Sequence, residues 1–442
     1  IHERLVGSEM CIRDRPMMPN RNIAPRITPL STPSLLPYQC LILANGTEIF
    51  YLNDPLQEVF KIDVVFEAGI YYQSQPLVAS TTVNMLNEGT LHHSAEAIAD
   101  QFDYYGAYVD FSCGLNKTEV SLLSLNKYAT ETLTMLAEII TESNIPDKEL
   151  EIYLTNKRQE YLVNLEKTSY LAKQKFSALI FGEDHPYANR IEESDYQRIT
   201  VSLIRDFYHR YYQAGQFRIF ICGHVNEGLL NTVTRLFGNL PIPSPGNISK
   251  KLPFHAAQPG RYHVSKENCV QSSIRIGKSS VRLTDDDYAG YMLLNTILGG
   301  YFGSRLMSNI REEKGYTYGI GSFNVSLPQR SYWSITTEVN NEYTEATIEE
   351  IFKEIHKLRT ETVPAEELNL VKNYLYGDLL RELDGVFAQS DSLKHKLNYG
   401  LDNSFYIGII EKIRQCTPEA ILELADKYWI PEEMYIVTAG QP

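Results

Sequence analysis

Phe60, Ile62 and Val64 alternate with polar neighbours, so Val59 to Glu67 predicts a strand with one buried face, ended by Ala68-Gly69. Before it, Leu41 to Tyr51 predicts two strands joined at Asn45-Gly46, a hairpin turn pair. Helical patterns follow over Val78 to Leu86, closing at Gly89, and over Ala95 to Tyr105, ended by Gly106. Tyr108 to Cys113 and Glu119 to Leu125 predict a strand pair. Leu133, Leu136 and Ile140 mark the buried face of a further helix. Asp147 to Glu166, Tyr170 to Phe181 and Leu203 to Tyr212 continue as helices, and Arg218 to Cys222 is a strand ending at Gly223.

The order then recurs. Asn84 and Gly89 match Asn295 and Gly300 at an offset of 211, and Tyr211, Ile219 and Gly223 match Tyr428, Ile436 and Gly440 at an offset of 217. Ile348, Ile351, Ile355 and Leu358 repeat the buried helix face. Between the copies, Leu240 to Gly260 is rich in Pro and Gly without periodicity and reads as a linker. The pattern therefore predicts a duplicated α+β unit: a first half over 38–239, a linker over 240–260 and a second half over 261–442.

Composition narrows the function. Hydrophobic content of 43% and charged content of 22% are those of a soluble globular chain, and 442 residues exceed one ordinary core. A net charge of −14 argues against nucleic acid and anionic membrane surfaces as partners. No apolar run is long enough to span a membrane. The six cysteines are scattered without a C-x-x-C pair, which fits a reducing compartment; a cytoplasmic location is expected. Thirty tyrosines suit surfaces that are apolar yet hydrogen-bonding, such as peptide clefts. Residues 1–16 resemble a translated sequencing adapter and read as a non-native leader, followed by an extended, Pro-rich arm over 17–37.

The chemistry concentrates in GGYFGSRLMSNIREEKGYTY, Gly299 to Tyr318. After the Gly299-Gly300 pair, Leu306 and Ile310 would share a helix face, with Arg311 at its end. A break at Gly315 leads into a strand carrying Tyr318, so a turn would let a guanidinium and a phenol point at one object. Taken alone, both residues suit an exposed ion pair and strand packing. The pattern G-G-x-x-x-S-R-L-x-x-x-I-R-E-x-x-G-x-x-Y resembles the C-terminal half of the pitrilysin/insulinase family, which includes the mitochondrial processing peptidases and bacterial two-chain relatives.

That resemblance implies two homologous halves, each an antiparallel sheet backed by helices, closing like a clamshell on a chamber. It implies that Arg311 and Tyr318, with Gly299 and Gly300, bind the substrate backbone opposite a zinc site. It also implies a substrate-pairing sheet edge at Gly106, Asp110, Phe111 and Cys113. Peptide-cutting members carry H-x-x-E-H followed by M-L-x-x-G-T. Here Met85, Leu86, Gly89 and Thr90 set the register, and the histidine positions hold Ser80 and Asn84 while the base position holds Val83. Glu160, 76 residues after Asn84, matches the third ligand. A hydroxyl, an amide and one carboxylate make a poor zinc set, and Val83 accepts no proton.

The resemblance thus implies a non-catalytic, substrate-binding subunit without a cofactor, whose partner carries H-x-x-E-H and the zinc; a peptide is the substrate. Two alternatives stand beside it. One is a homodimeric peptide-binding or scaffolding protein. The other is an active peptidase using Glu160 with His92 or His93, although those histidines with Glu96 read as a polar helix entry. Asp184-His185 lacks a placed nucleophile and reads as turn packing.

Overall fold

The computed structural model describes residues 34–240 and 251–441. The leader and most of the arm, together with 241–250 of the linker, lie outside the described residues.

The chain enters through the expected hairpin, β1 (Gln39–Ile42) and β2 (Glu48–Asn53). Gly46 takes φ +84°, a region glycine enters without strain. Asn45 is buried beside it: its amide donates to the Phe237 carbonyl (2.8 Å) and its oxygen accepts the Thr47 N–H (3.1 Å). Next come β3 (Val59–Phe66), α1 (Val78–Asn84) and α2 (Ala95–Tyr105). Ser94 caps α2 by accepting the Ala97 N–H (3.3 Å), and Gly106 closes it at φ +61°. The first half continues with β4 (Tyr108–Cys113), β5 (Thr118–Leu125), α3 (Ala129–Glu142), α4 (Asp147–Leu165) and α5 (Thr168–Phe181). It ends with α6 (Val201–Tyr208), β6 (Phe217–Gly223) and α7 (Glu227–Phe237).

The second half comprises β7 (Gly260–Ser265), β8 (Gln271–Ser280), α8 (Tyr288–Asn295), β9 (Thr317–Val325) and β10 (Ser331–Asn340). Then follow α9 (Thr344–Thr360), α10 (Ala365–Arg381), α11 (Gly385–Asn398), α12 (Ser404–Gln415), α13 (Pro418–Tyr428) and β11 (Tyr435–Gly440).

The strand order is β1-β2-β6-β3-β5-β4 in one sheet and β7-β11-β8-β10-β9 in the other. Without β1 the two orders correspond strand for strand. Both sheets are mixed, which corrects the expectation of antiparallel sheets: β2 pairs with β6 in parallel, and β7 with β11. The last strand of each half returns through long helical segments to lie beside the first, and only such a long connection permits a parallel pair. One face of each sheet is backed by its own helices. Leu133, Leu136 and Ile140 lie in the first core, and Ile348, Ile351, Ile355 and Leu358 in the second.

The opposite faces are covered by exchange. From the first half, α5 lies on β8 and β11, where Phe176, Leu179, Ile180 and Phe181 pack with Tyr435, Val437 and Ala439. At Gly277 a Cβ would stand 2.7 Å from the Phe176 ring and 2.1 Å from the Trp333 carbonyl, so only glycine admits this helix. From the second half, α11 lies on β2 and β6, where Val386 and Leu393 pack with Phe50, Leu52, Phe220 and Cys222. Beside this apolar contact, Lys394 bonds Asp63 (2.8 Å) and Glu119 (2.5 Å), and Lys61 bonds Asp391 (2.8 Å). Asp63 is 1% exposed, so its ion pairs with Lys394 and Lys61 (3.2 Å) lie out of contact with bulk water.

The described part of the linker is packed rather than loose. Phe254 stacks on His185 with centroids 4.2 Å apart, Leu252 N–H donates to the Tyr71 hydroxyl (3.1 Å), and Ala257 N–H to the Leu179 carbonyl (2.8 Å). Its three apolar residues anchor a stretch whose Pro and Gly content suggested a free connection. Residues 34–442 accordingly make one compact unit.

Two outcomes follow for stability. Phe176→Ala removes a buried ring from the exchanged contact, and urea denaturation should show a loss of about 3–5 kcal/mol. His185 is buried with its Nδ1 accepting the Tyr187 N–H (3.1 Å); burial, and secondarily the Arg330 charge, lower its pKa from 6.5 to about 4. The unfolded chain therefore takes up this proton first. The contribution is complete above pH 6.5, falls as pH drops from 6.5 towards 4, and changes no further below that. Wild type should lose on the order of 2 kcal/mol more than His185→Phe across that window, measured by denaturation at each pH.

Candidate functional site

α1 and α4 face each other across a cleft of about 350 Å³, and Ser80, Asn84 and Glu160 all line it. The register inferred from Met85 and Gly89 thus brings together the three expected ligand positions. Their donors are committed elsewhere. Ser80 Oγ donates to the Leu77 carbonyl (3.2 Å), Asn84 Nδ2 donates to the Ser80 carbonyl (2.7 Å), and Glu160 pairs with Lys157 (2.9 Å). Val83 does not line the cleft and is fully buried in the core.

Cys113 borders the same cleft, but burial pushes its thiol up to about 12, so it offers no thiolate at neutral pH. The remaining walls are rich in phenols. Burial pushes Tyr170 and Tyr196 up to about 12 and raises Tyr153 further, so all three stay protonated donors. This donor set does not fit zinc: one carboxylate already holds a cation, and no imidazole is near. Among the described residues, no group of three or more His, Cys, Asp or Glu is arranged to hold a metal ion. These three tyrosines and Tyr161, which also lines the cleft, were not singled out from sequence; their spacing along α4 and beyond carries no motif.

His92 and His93 are held apart from that cleft. His93 Nδ1 bonds Glu138 (2.8 Å) and His92 Nε2 bonds Glu142 (2.9 Å), both on α3. The two histidines precede α2, and the chain there turns about Thr90, whose Oγ1 accepts the His92 and His93 N–H groups (3.2 and 2.9 Å). Burial raises the Glu138 pKa, but the hydrogen bonds from His93 and Thr90 outweigh it, and the net shift is downward.

Arg311 lies in a wide helical turn, Met307–Glu313, in which Lys314 N–H reaches back five residues to the Asn309 carbonyl (3.0 Å). Leu306 and Ile310 are fully buried on its inner face, as their spacing predicts. The Arg311 guanidinium stacks 4.7 Å from the centroid of Phe302, which is 62% exposed. No carboxylate among the described residues pairs with it, so Glu312 and Glu313 leave its donors free. Gly315, at φ +67°, turns the chain into β9.

β9 is an edge strand, and so is β4 in the other sheet. In β9 the register moves from Ile320↔Thr337 to Thr317↔Val339, so Tyr318 and Gly319 together oppose Glu338. This is a β-bulge, a device that re-aims a side chain. Thr317 secures it: its Oγ1 accepts the Gly319 N–H (3.1 Å) and donates to the Glu338 carbonyl (2.7 Å). Tyr318 consequently stands 91% exposed. A glycine directly after the tyrosine was the available signal for the bulge.

Gly299 is buried under β9, where a Cβ would meet Ser322 Cβ at 2.7 Å; Gly300 is exposed. Gly299 therefore lets the helix end approach the strand. Asn295 reinforces that approach, donating to the Ser322 carbonyl (3.1 Å) and accepting from Trp333 Nε1 (2.9 Å). On β4, Asp110 and Phe111 point to opposite faces: Asp110 is exposed, while Phe111 packs against the first core. Only their backbone shares the free edge.

Residues 198–375 match the family model described as the peptidase M16 inactive domain; that stretch includes Arg311 and Tyr318 and excludes Ser80 to Asn84. An uncharacterized zinc protease of Rickettsia felis is 25% identical over 79% of this chain and 85% of its own length. The non-peptidase homolog YmxG of Helicobacter pylori is 23% identical over 82% of each chain. The crystal structure of a peptidase M16 inactive domain from Pseudomonas fluorescens superposes with a TM-score of 0.83 at 24% identity, covering 92% of this chain and 99% of that one.

The cleft geometry can be tested by restoring ligands. Ser80→His with Asn84→His places two imidazoles one turn apart on α1, opposite Glu160. Calorimetry should then show one equivalent of zinc bound, and adding Glu160→Ala should weaken it by at least about tenfold, the cost of losing even an outer partner at a metal site. No gain of binding by the double variant would mean that Glu160 and α1 do not converge.

Proposed function

The chain belongs to the peptidase M16 family, and on that premise we propose that it is the non-catalytic, substrate-holding subunit of a two-chain zinc metallopeptidase. The two sheets close as a clamshell on a peptide chamber, and hydrolysis belongs to a partner subunit carrying H-x-x-E-H.

One observation carries this reading. A bulge holds Tyr318 out from an open sheet edge, and the nearby wide turn presents a guanidinium with no carboxylate partner. An extended peptide can add to the β9 edge through its own backbone groups. Arg311 then donates to its carbonyls with a rigid fork, and Tyr318 donates to the carbonyl oxygen on which negative charge develops. The inward-turned donors of Ser80 and Asn84 and the similarity to the non-peptidase homolog YmxG support the same division of labour.

The test uses the chain alone and mixed with the subunit it co-purifies with. Alone, it should contain no stoichiometric zinc and cleave no unfolded peptide; mixed, cleavage should appear. Arg311→Ala and Tyr318→Phe should each lower the mixed activity by about a hundredfold, the cost of removing one preorganised donor. Chelator-sensitive cleavage by the pure chain would overturn the proposal.

A further inference from the structure

A second pocket, of about 490 Å³, opens among α8, α10, α11 and α12. Met292, Leu379 and Ile409 supply apolar walls, and Tyr288, Phe405 and Tyr406 supply rings. A volume of several hundred cubic ångströms suits a small organic ligand.

The charges around it resolve one by one. Asp391 is tied to Lys61 (2.8 Å) and Lys394 (3.1 Å). His395 has its pKa lowered by burial, and secondarily by Lys396, and stays neutral at neutral pH. Glu382 is different: no hydrogen bond or ion pair with a described residue reaches its carboxylate. The adjacent Arg381 binds Asp378 instead (2.6 Å). Glu382 lines the same pocket as Tyr288 and Tyr406. Glu382 is an exposed residue; desolvation of its carboxylate, then the Asp378 charge, raises its pKa. The Tyr406 ring already serves one ammonium, with Lys396 Nζ 4.6 Å from its centroid.

We propose that this pocket binds an organic ammonium ion, a primary amine carried on an apolar or aromatic body. Glu382 accepts the ammonium, the Tyr288 ring adds cation–π attraction on the side away from Lys396, and the aliphatic walls with Phe405 cover the body. Neither Arg311 nor Tyr318 lines the pocket, so the proposal stands apart from the peptide-holding reading.

Calorimetric titration of the full chain with phenethylamine and with 2-phenylethanol tests it. The amine should bind saturably, and the alcohol, of nearly the same shape, at least about tenfold more weakly, since it forms no charge-assisted bond. Glu382→Gln should weaken the amine by about tenfold and leave the alcohol unchanged. Equal binding of amine and alcohol by wild type, or no binding of either, overturns the proposal without recourse to the variant. So does unaltered amine affinity in Glu382→Gln.

Discussion

Each sheet has two faces to cover, and the helices of its own half cover only one. The other face is completed by a helix from the opposite half: α5 lies on β8 and β11, and α11 lies on β2 and β6. This exchange is the constraint on which the remaining structure depends. It explains why 34–442 cluster as one unit despite the duplication, and why Gly277 cannot carry a side chain. It explains the ion network as well. Lys394 is brought by α11 to Asp63, whose burial leaves it no water to replace a missing cation. The coverage is partial, however. Both exchanged helices sit on the inner strands, and β4 and β9 remain as open edges with exposed aromatic residues, Tyr108 and Phe323 among them.

At β9 that open edge acquires chemistry. Gly299 and Asn295 hold the strand close to the helix end, and the bulge secured by Thr317 turns Tyr318 outward. The cleft between α1 and α4 in the first half offers no such outward donors. Glu160 lies across it from α1, but its polar groups bond to their own helix or to Lys157. Asn295, the offset match of Asn84, shows the same residue type serving purely as a structural bond in the second half.

Much of the first half was legible from residue pattern. Strand alternation in β3, the Asn45-Gly46 turn, the Ala95 start and Gly106 end of α2 and the buried stripe of α3 all report local physics, and all formed within a residue or two of expectation. The parallel pairs were not legible, because strand polarity depends on where a distant strand returns. α11 escaped notice for a related reason. Its covered face carries Gln389, Ser390, Ser392 and Lys396 as well as Val386 and Leu393, so it lacks an apolar stripe; it answers to the partly charged face of the other half's sheet. The site was legible as residues and not as geometry. Arg311 and Tyr318 were picked out by their spacing, whereas the Phe302 ring beneath Arg311 and the bulge beneath Tyr318 depend on three-dimensional placement.

The central claim is that peptides are held by the free edge of β9 beside Arg311 and Tyr318. Amide hydrogen exchange of the full chain, with and without a saturating unstructured peptide, tests it most directly. The account predicts slowed exchange in Thr317 to Val325, at amides that do not bond β10, with β7 at the opposite edge of the same sheet unchanged. Protection that bypasses β9 and appears elsewhere, or no protection at saturating peptide, would contradict it.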